Sequence, residues 1–220
     1  MLPVYNQADH IEAVVAGYLA ALDRVACRHE LILVSNGCRD DSPAVCRELA
    51  RRNAAVRAID SRAGGWGLAV KLGLSAGAGN WLAYTNSART TGDQLATLVL
   101  QALLTPDTVV KATRLGRSGP RMLGSSLYNR ECRLFFRVPC RDVNGTPKIF
   151  PRRFHKLLSL TRDDDLIDLE FLSVCHREGY PVREVPVQSR PRHGGESTTK
   201  LKTAWKLYSG AYRMWRDARA

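Results

Sequence analysis

The chain has 220 residues, 45% of them apolar and 25% charged. That is enough apolar material for the core of one sizeable domain, and it excludes a disordered chain. Lysine and arginine exceed the acidic residues by 12, which points to an anionic partner such as a nucleic acid, a membrane surface or a phosphorylated ligand. The six cysteines form no C-x-x-C pair, and none stands at zinc-ligand spacing with a histidine. This is the pattern of free thiols in a reducing cytoplasm. The opening MLPVYNQADH lacks the basic region and apolar run of a secretory signal. No stretch approaches the roughly 20 apolar residues of a membrane span.

In chain order, LPVY reads as a first strand, with only Met1 before it. The strand is either clipped or continued from upstream residues. VVAGYLAALDRV carries helical periodicity after the polar Asn6 and Asp9, and ELILVS reads as a buried strand. SPAVCRELARRN opens with Ser42 as cap and Pro43 at the first helical position. VRAI, WLAY and TVVKAT read as strands, separated by the helical GLAVKLGLSAGAG and GDQLATLVLQALL. This alternation predicts an α/β fold with a mostly parallel sheet and helices on both faces. Beyond it come a basic loop running into an amphipathic helix (RSGPRMLGSSLYNRECRLFF), a turn into a strand (DVNGTPKIF) and a helix with an acidic start (DDDLIDLEFLSVCHREGY). The strand PVREVPVQ and the basic loop SRPRHGGESTTK follow. No repeat or long linker interrupts the chain, so residues 1–199 read as one domain and 200–220 as a C-terminal basic, aromatic helix.

Five stretches together carry a resemblance. LPVYNQADHI is similar to an opening P-x-Y-N-E, and ELILVSNGCRDDS to V-D-D-G-S-x-D-x-T. GGWGLAVKLGLSAGAGNWLAY is similar to G-K-G-x-A followed by a strand. EGYPVREVPV and RHGGEST are similar to a closing strand and a G-E-S loop. In this order and spacing they resemble the family 2 glycosyltransferases of the GT-A (Rossmann-like) fold, close to the polyprenyl-phosphate (dolichol-phosphate) sugar transferases. The resemblance covers residues 2 to about 200. It implies that a nucleotide-diphosphate sugar lies across the carboxyl ends of the first strands. Pro3, Tyr5, Gln7, Ser35, Asn36, Gly65, Asn86 and Ser87 then stand at its binding positions. Gln7, Ser35 and Asn36 replace the family's acidic residues with neutral hydrogen-bonding groups.

The family's D-x-D metal motif falls at TNSA, residues 85–88. In one register Asn86 and Ala88 replace the two aspartates; in the other, Thr85 and Ser87 do. Neutral amides and hydroxyls hold Mg²⁺ or Mn²⁺ weakly, so the expectation is no metal, with Mg²⁺ or Mn²⁺ as the weaker alternative. Arginine is the replacement the sequence offers: Arg89, then Arg114 with Arg121 and Ser125 in a spacing that resembles the family's acceptor-phosphate loop, and Arg192 before the G-E-S loop. Guanidinium forks bind phosphate without losing charge. Family-matched carboxylates are Asp142 and the pair Asp168 and Glu170. The latter two stand two apart, so at most one of them faces the site. Asp163, Asp164 and Asp165 read as helix-start charges.

The implied activity is transfer of a sugar to an acceptor such as a lipid phosphate, with inversion. The alternative is an inactive GT-A domain that binds a nucleotide or phospholipid. No nucleic-acid motif accompanies the basic charge, so no nucleic-acid partner is expected. In the C-terminal stretch, Leu201, Trp205, Tyr208, Tyr212 and Trp215 fall within an arc of about 80° at 100° per residue. Cations flank the arc. The pattern suits an in-plane helix on an anionic membrane surface as well as a packing face, and the expected location is cytoplasmic, peripheral to the cytoplasmic membrane.

Overall fold

A computed structural model describes residues 1–116, 120–138, 140–189 and 201–217; for 120–123 and 201–205 it describes the backbone alone. The first strands are β1 (Leu2–Val4), β2 (Leu31–Asn36) and β3 (Val56–Ser61), paired in parallel in the order β1-β2-β3. A second group contains β4 (Trp81–Tyr84), β5 (Val109–Leu115), β6 (Lys148–Pro151) and β7 (Val182–Gln188), in the order β4-β6-β5-β7. β5 and β7 are parallel, whereas β6 runs antiparallel to both its neighbours. Met1 joins the groups: its nitrogen donates to Ala83 O (2.6 Å) and its carbonyl accepts from Thr85 N (3.3 Å), the pattern of a parallel ladder. β1 therefore lies between β2 and β4, and the chain switches direction across the sheet at β1.

Period-2 alternation decides the layers. Leu31 and Leu33 face α1 (Ile11–Leu22) and α2 (Ser42–Arg52), while Ile32 and Val34 face α3 (Trp66–Ala76). α4 (Gly92–Leu104) packs on the α1 side of the sheet, over Val110, Ala112 and Ile149. α5 (Pro120–Phe136), α6 (Ile167–Arg177) and α7 (Leu201–Asp217) contribute to the core on the α3 side, around Tyr84, Phe150 and Phe171. The expected α/β architecture with helices on both faces is what the chain forms.

Two local expectations change. Ser42 is the first residue of α2 and Asp41 the residue before it; the Ser42 hydroxyl instead accepts the Gln7 amide (2.7 Å), tying the loop after β1 to this helix. A one-turn 3-10 segment, His155–Leu158, follows β6 and lacks a periodic signature of its own. The aromatic stripe of α7 turns onto α5. Tyr208 meets Tyr128 edge-on with ring centroids 5.8 Å apart, Trp215 stacks on Phe135 at 4.7 Å, and Ala211 is fully buried. The side chains of Leu201 and Trp205 lie outside the described residues.

Candidate active site

In an open α/β sheet, ligands bind outside the carboxyl ends of the strands where the strand order reverses. Here that crevice lies between β1 and β4. Its walls are the loops that leave β1, β2, β3 and β4. The second and third approach closely. Gly37 has φ +60°, and a Cβ there would lie 2.8 Å from Gly64 Cα, so only glycine fits. An open cleft of about 500 Å³ runs on from Gly64 and Gly65 to Arg162, Asp163 and Asp164.

Asn36 and Ser87 tie the crevice to backbone, and Ser35 ties it to a carboxylate. Asn36 donates through Nδ2 to Val4 O (3.0 Å) and accepts Gly65 N at Oδ1 (3.1 Å), linking β1, β2 and the start of α3. Ser35 donates to Asp60 Oδ1 (2.5 Å), so a carboxylate from β3 reaches the position next to it. Tyr5 is 42% exposed at the rim. Gln7 is buried, and its Oε1 has no partner among the described residues. Pro3 is buried, and its carbonyl accepts the Ser87 hydroxyl (3.4 Å).

The loop after β4 closes on itself. Asn86 Oδ1 accepts Ala88 N (2.8 Å), its carbonyl accepts Thr90 N (3.2 Å), and Thr85 Oγ1 donates to Thr90 Oγ1 (2.9 Å). The oxygens that would face a cation are thus neutral and already engaged. A hard divalent cation wants several anionic oxygens, and among the described residues no group of three or more His, Cys, Asp or Glu side chains converges on one point. These residues do not fit a divalent cation. Arg89, partly exposed, lies within this loop.

Charge gathers instead at β5, β6 and β7. Arg114 grips Asp142 with a fork: Nε to Oδ2 at 2.8 Å and a terminal nitrogen to Oδ1 at 2.9 Å, with the Arg114 amide adding a third bond (3.2 Å). Two of its five guanidinium N–H bonds are used there. Lys111 and Lys148 are fully buried cross-strand neighbours. Lys111 donates to Glu184 Oε1 (3.1 Å) and Asp142 O (2.6 Å). Burial alone would raise the Glu184 carboxyl, but Lys111, Thr113 and the Arg141 amide outweigh it and hold the group below the usual glutamate value. Lys148 pairs with Asp168, which also accepts Tyr84 Oη (2.8 Å) and Trp66 Nε1 (3.2 Å). Burial lowers the Lys148 ammonium from its ordinary value even with Asp168 beside it.

Residues 1–161 match the family model described as glycosyl transferase family 2. The chain belongs to this family. It is 27% identical over 235 aligned residues to the glycosyltransferase AglD of Haloferax volcanii, covering 94% of this chain and 37% of that protein. It is 25% identical to the undecaprenyl-phosphate 4-deoxy-4-formamido-L-arabinose transferase of Pseudomonas savastanoi pv. phaseolicola, over 66% of this chain and 40% of that enzyme. The chain therefore spans about two fifths of the length of these relatives. Among solved structures, glucosyl-3-phosphoglycerate synthase of Mycobacterium tuberculosis, in complex with Mn²⁺, UDP and phosphoglyceric acid, superposes with a TM-score of 0.71 at 18% identity, covering 97% of this chain and 76% of that one. At that identity the likeness is one of fold.

For this family 2 chain, the structure brings Pro3, Gln7, Ser35, Asn36, Gly65, Asn86 and Ser87 to one end of the sheet, with Tyr5 at its rim. It places Arg114 against Asp142, and Ser125 half-buried on α5. The side chain of Arg121 and all of Arg192 lie outside the described residues. Asp168 and Glu170 part company: Asp168 is buried among three donors, while Glu170 turns back to accept Thr161 N (2.9 Å), Thr161 Oγ1 (2.7 Å) and Arg162 N (2.9 Å). Lys148, Glu184, Asp60 and Trp66 are absent from the sequence expectation. The signal that finds the lysines and Glu184 is a charged residue inside a short apolar strand: VVKAT, KIF and REVPV.

Proposed function

We propose that the chain transfers a sugar from a nucleotide-diphosphate sugar to a polyprenyl phosphate, with inversion, and that arginine rather than a divalent cation faces the phosphates. The observation that carries this reading is the Arg114–Asp142 fork at the same end of the sheet as a neutral, self-bonded 85–90 loop. Asp142 orients the guanidinium, and the three N–H bonds without a partner among the described residues can meet an incoming phosphate. A lipid phosphate is ionised at neutral pH and needs no proton removed, so no carboxylate has to act as a base. That agrees with Asp142 and Asp168 both being ion-paired. The name of the undecaprenyl-phosphate relative supports a lipid acceptor.

The outer surface of α5 and α7 supports a membrane location. Leu127 (62%), Leu134 (74%) and Tyr212 (50%) are exposed there, with Arg130, Arg133, Arg213 and Arg216 also exposed on the same two helices. Exposed apolar groups with cations beside them suit an anionic bilayer surface. No helix among the described residues is long and apolar enough to cross a membrane.

The test is a panel of nucleotide sugars with undecaprenyl phosphate, with and without EDTA. Transfer from one donor, changed less than about twofold by EDTA, is the expected result. A large loss restored by Mg²⁺ would overturn the metal-free part. Nucleotide binding with no transfer from any donor would overturn the activity and leave a binding domain.

A further inference from the structure

Glu184 lies on the edge strand β7, opposite Lys111 of β5. A glutamate on an edge strand has water within reach, yet this one turns inward and accepts five hydrogen bonds from four donors. They are Thr113 Oγ1 (2.6 Å), Lys111 Nζ (3.1 Å), Asp142 N (3.3 Å) and Arg141 N, which is shared between both oxygens (3.0 and 2.9 Å). Lys111 completes the arrangement from below. Its three protons go to Glu184, Ala112 O (3.0 Å) and Asp142 O (2.6 Å). The peptide at Asp142 is thus held at both ends, its N–H by the carboxylate and its C=O by the ammonium. The Asp142 carbonyl also accepts Gly145 N (3.1 Å), closing a turn that lies directly on β5. A Cβ at Gly145 would stand 2.0 Å from Ala112 O, so the turn has no room to shift toward the strand.

We propose that Glu184, acting with Lys111 through the Arg141–Asp142 backbone, is the positioning residue that fixes Asp142 and through it the Arg114 fork. The inference rests on the reading of Arg114 as an acceptor-phosphate contact. The physical argument is one of excess. A buried lysine–glutamate pair is often no more stable than apolar residues of the same shape, so stability alone gives little reason for it. What apolar residues cannot do is hold two amides and a carbonyl of a neighbouring loop. A misplacement of about 1 Å at a binding group can lower rates by about 100-fold.

The experiment has two readouts on the full chain. Hydrogen–deuterium exchange follows residues 140–145, and calorimetry follows binding of farnesyl phosphate, a short soluble prenyl monophosphate. Glu184→Gln is expected to speed exchange in that segment at least tenfold while residues 1–100 keep the parent's protection. It is also expected to weaken farnesyl phosphate about tenfold. In an Arg114→Met background, where the fork is absent, adding Glu184→Gln should change affinity less than twofold, because the two residues act on one contact. Unchanged exchange at 140–145 would overturn the proposal, as would an equal loss of affinity in both backgrounds. Should Glu184→Gln not fold, the Lys111→Met/Glu184→Leu pair keeps an apolar strand without an unpaired charge. It must fold and still lose the loop's protection, and retained protection would overturn the proposal equally. If the parent itself ignores farnesyl phosphate, the acceptor reading fails, and the exchange result alone decides the role of Glu184.

Discussion

Replacing Asp168 with asparagine removes the counter-ion of a fully buried lysine while keeping the shape of the side chain. The single asparagine oxygen can still accept from Tyr84 Oη or from Trp66 Nε1 but not both, so one neutral hydrogen bond is lost as well, and the part of the loss that changes with pH is the charge on Lys148. The buried ammonium has one escape, which is to give up its proton. Doing so at pH 7 for a group whose ordinary value is 10.5 costs about 1.4 kcal/mol for each pH unit between them, or about 5 kcal/mol in all. That sets the ceiling, and breaking a buried pair from one side typically costs about 3–5 kcal/mol. The sign with pH follows. The folded variant rejects a proton that the unfolded chain binds, so its stability rises with pH. At pH 9 the same arithmetic leaves about 2 kcal/mol. Neighbouring groups do not blur this window. Cys140 and Cys175 are pushed up to about 11 and 12 by burial, and Tyr84 stands well above 10, so all three stay neutral. Urea unfolding at pH 7 and pH 9, with equal m-values for parent and variant, reads the difference. Lys148→Met/Asp168→Asn should recover most of it. A penalty below about 1 kcal/mol at pH 7, or the same penalty at both pH values, would refute the claim that Asp168 holds a sealed charge.

Glu170→Ala should cost about 1–3 kcal/mol by releasing the Thr161 and Arg162 amides, while leaving sugar transfer within about threefold of the parent; a transfer loss far beyond that would return Glu170 to the site. Gly145→Ala should destabilise by about 3 kcal/mol, since its Cβ meets the Ala112 carbonyl and backbone must move; a neutral result in thermal unfolding would contradict the tight turn. Leu127→Ser/Leu134→Ser should lower flotation with anionic liposomes about tenfold without lowering the melting temperature, since both side chains are largely exposed; unchanged flotation would contradict the membrane face. Removing residues 201–217 is expected to destabilise the fold, because Ala211 is buried and Tyr208 covers Tyr128; a truncated chain that melts like the parent would show the packing to be unimportant.

Much of the fold follows from local pattern. The short apolar runs at 31–36 and 109–115 become strands buried on both faces over most of their length, and 81–84 becomes one that buries every second residue. The Thr91 to Gln94 capping box starts α4 where the sequence turns helical. The crevice positions from Pro3 to Ser87 are legible for the same reason: each lies at or just beyond the end of a strand, and strand ends share one side of a parallel sheet. What periodicity does not carry is the partner of a buried charge. Arg114 meets Asp142 across 28 residues, Lys148 meets Asp168 across 20, and Lys111 meets Glu184 across 73. Each pair exists only because antiparallel β6 inserts between β4 and β5 and β7 closes on β5. The same holds for α7, whose amphipathic pattern is equally suited to a bilayer and to a neighbouring helix. Composition and spacing set which residues are buried, charged or at a strand end. The order of strands in the sheet sets which charge faces which, because a charge placed in the core is stable only beside the particular group that neutralises it.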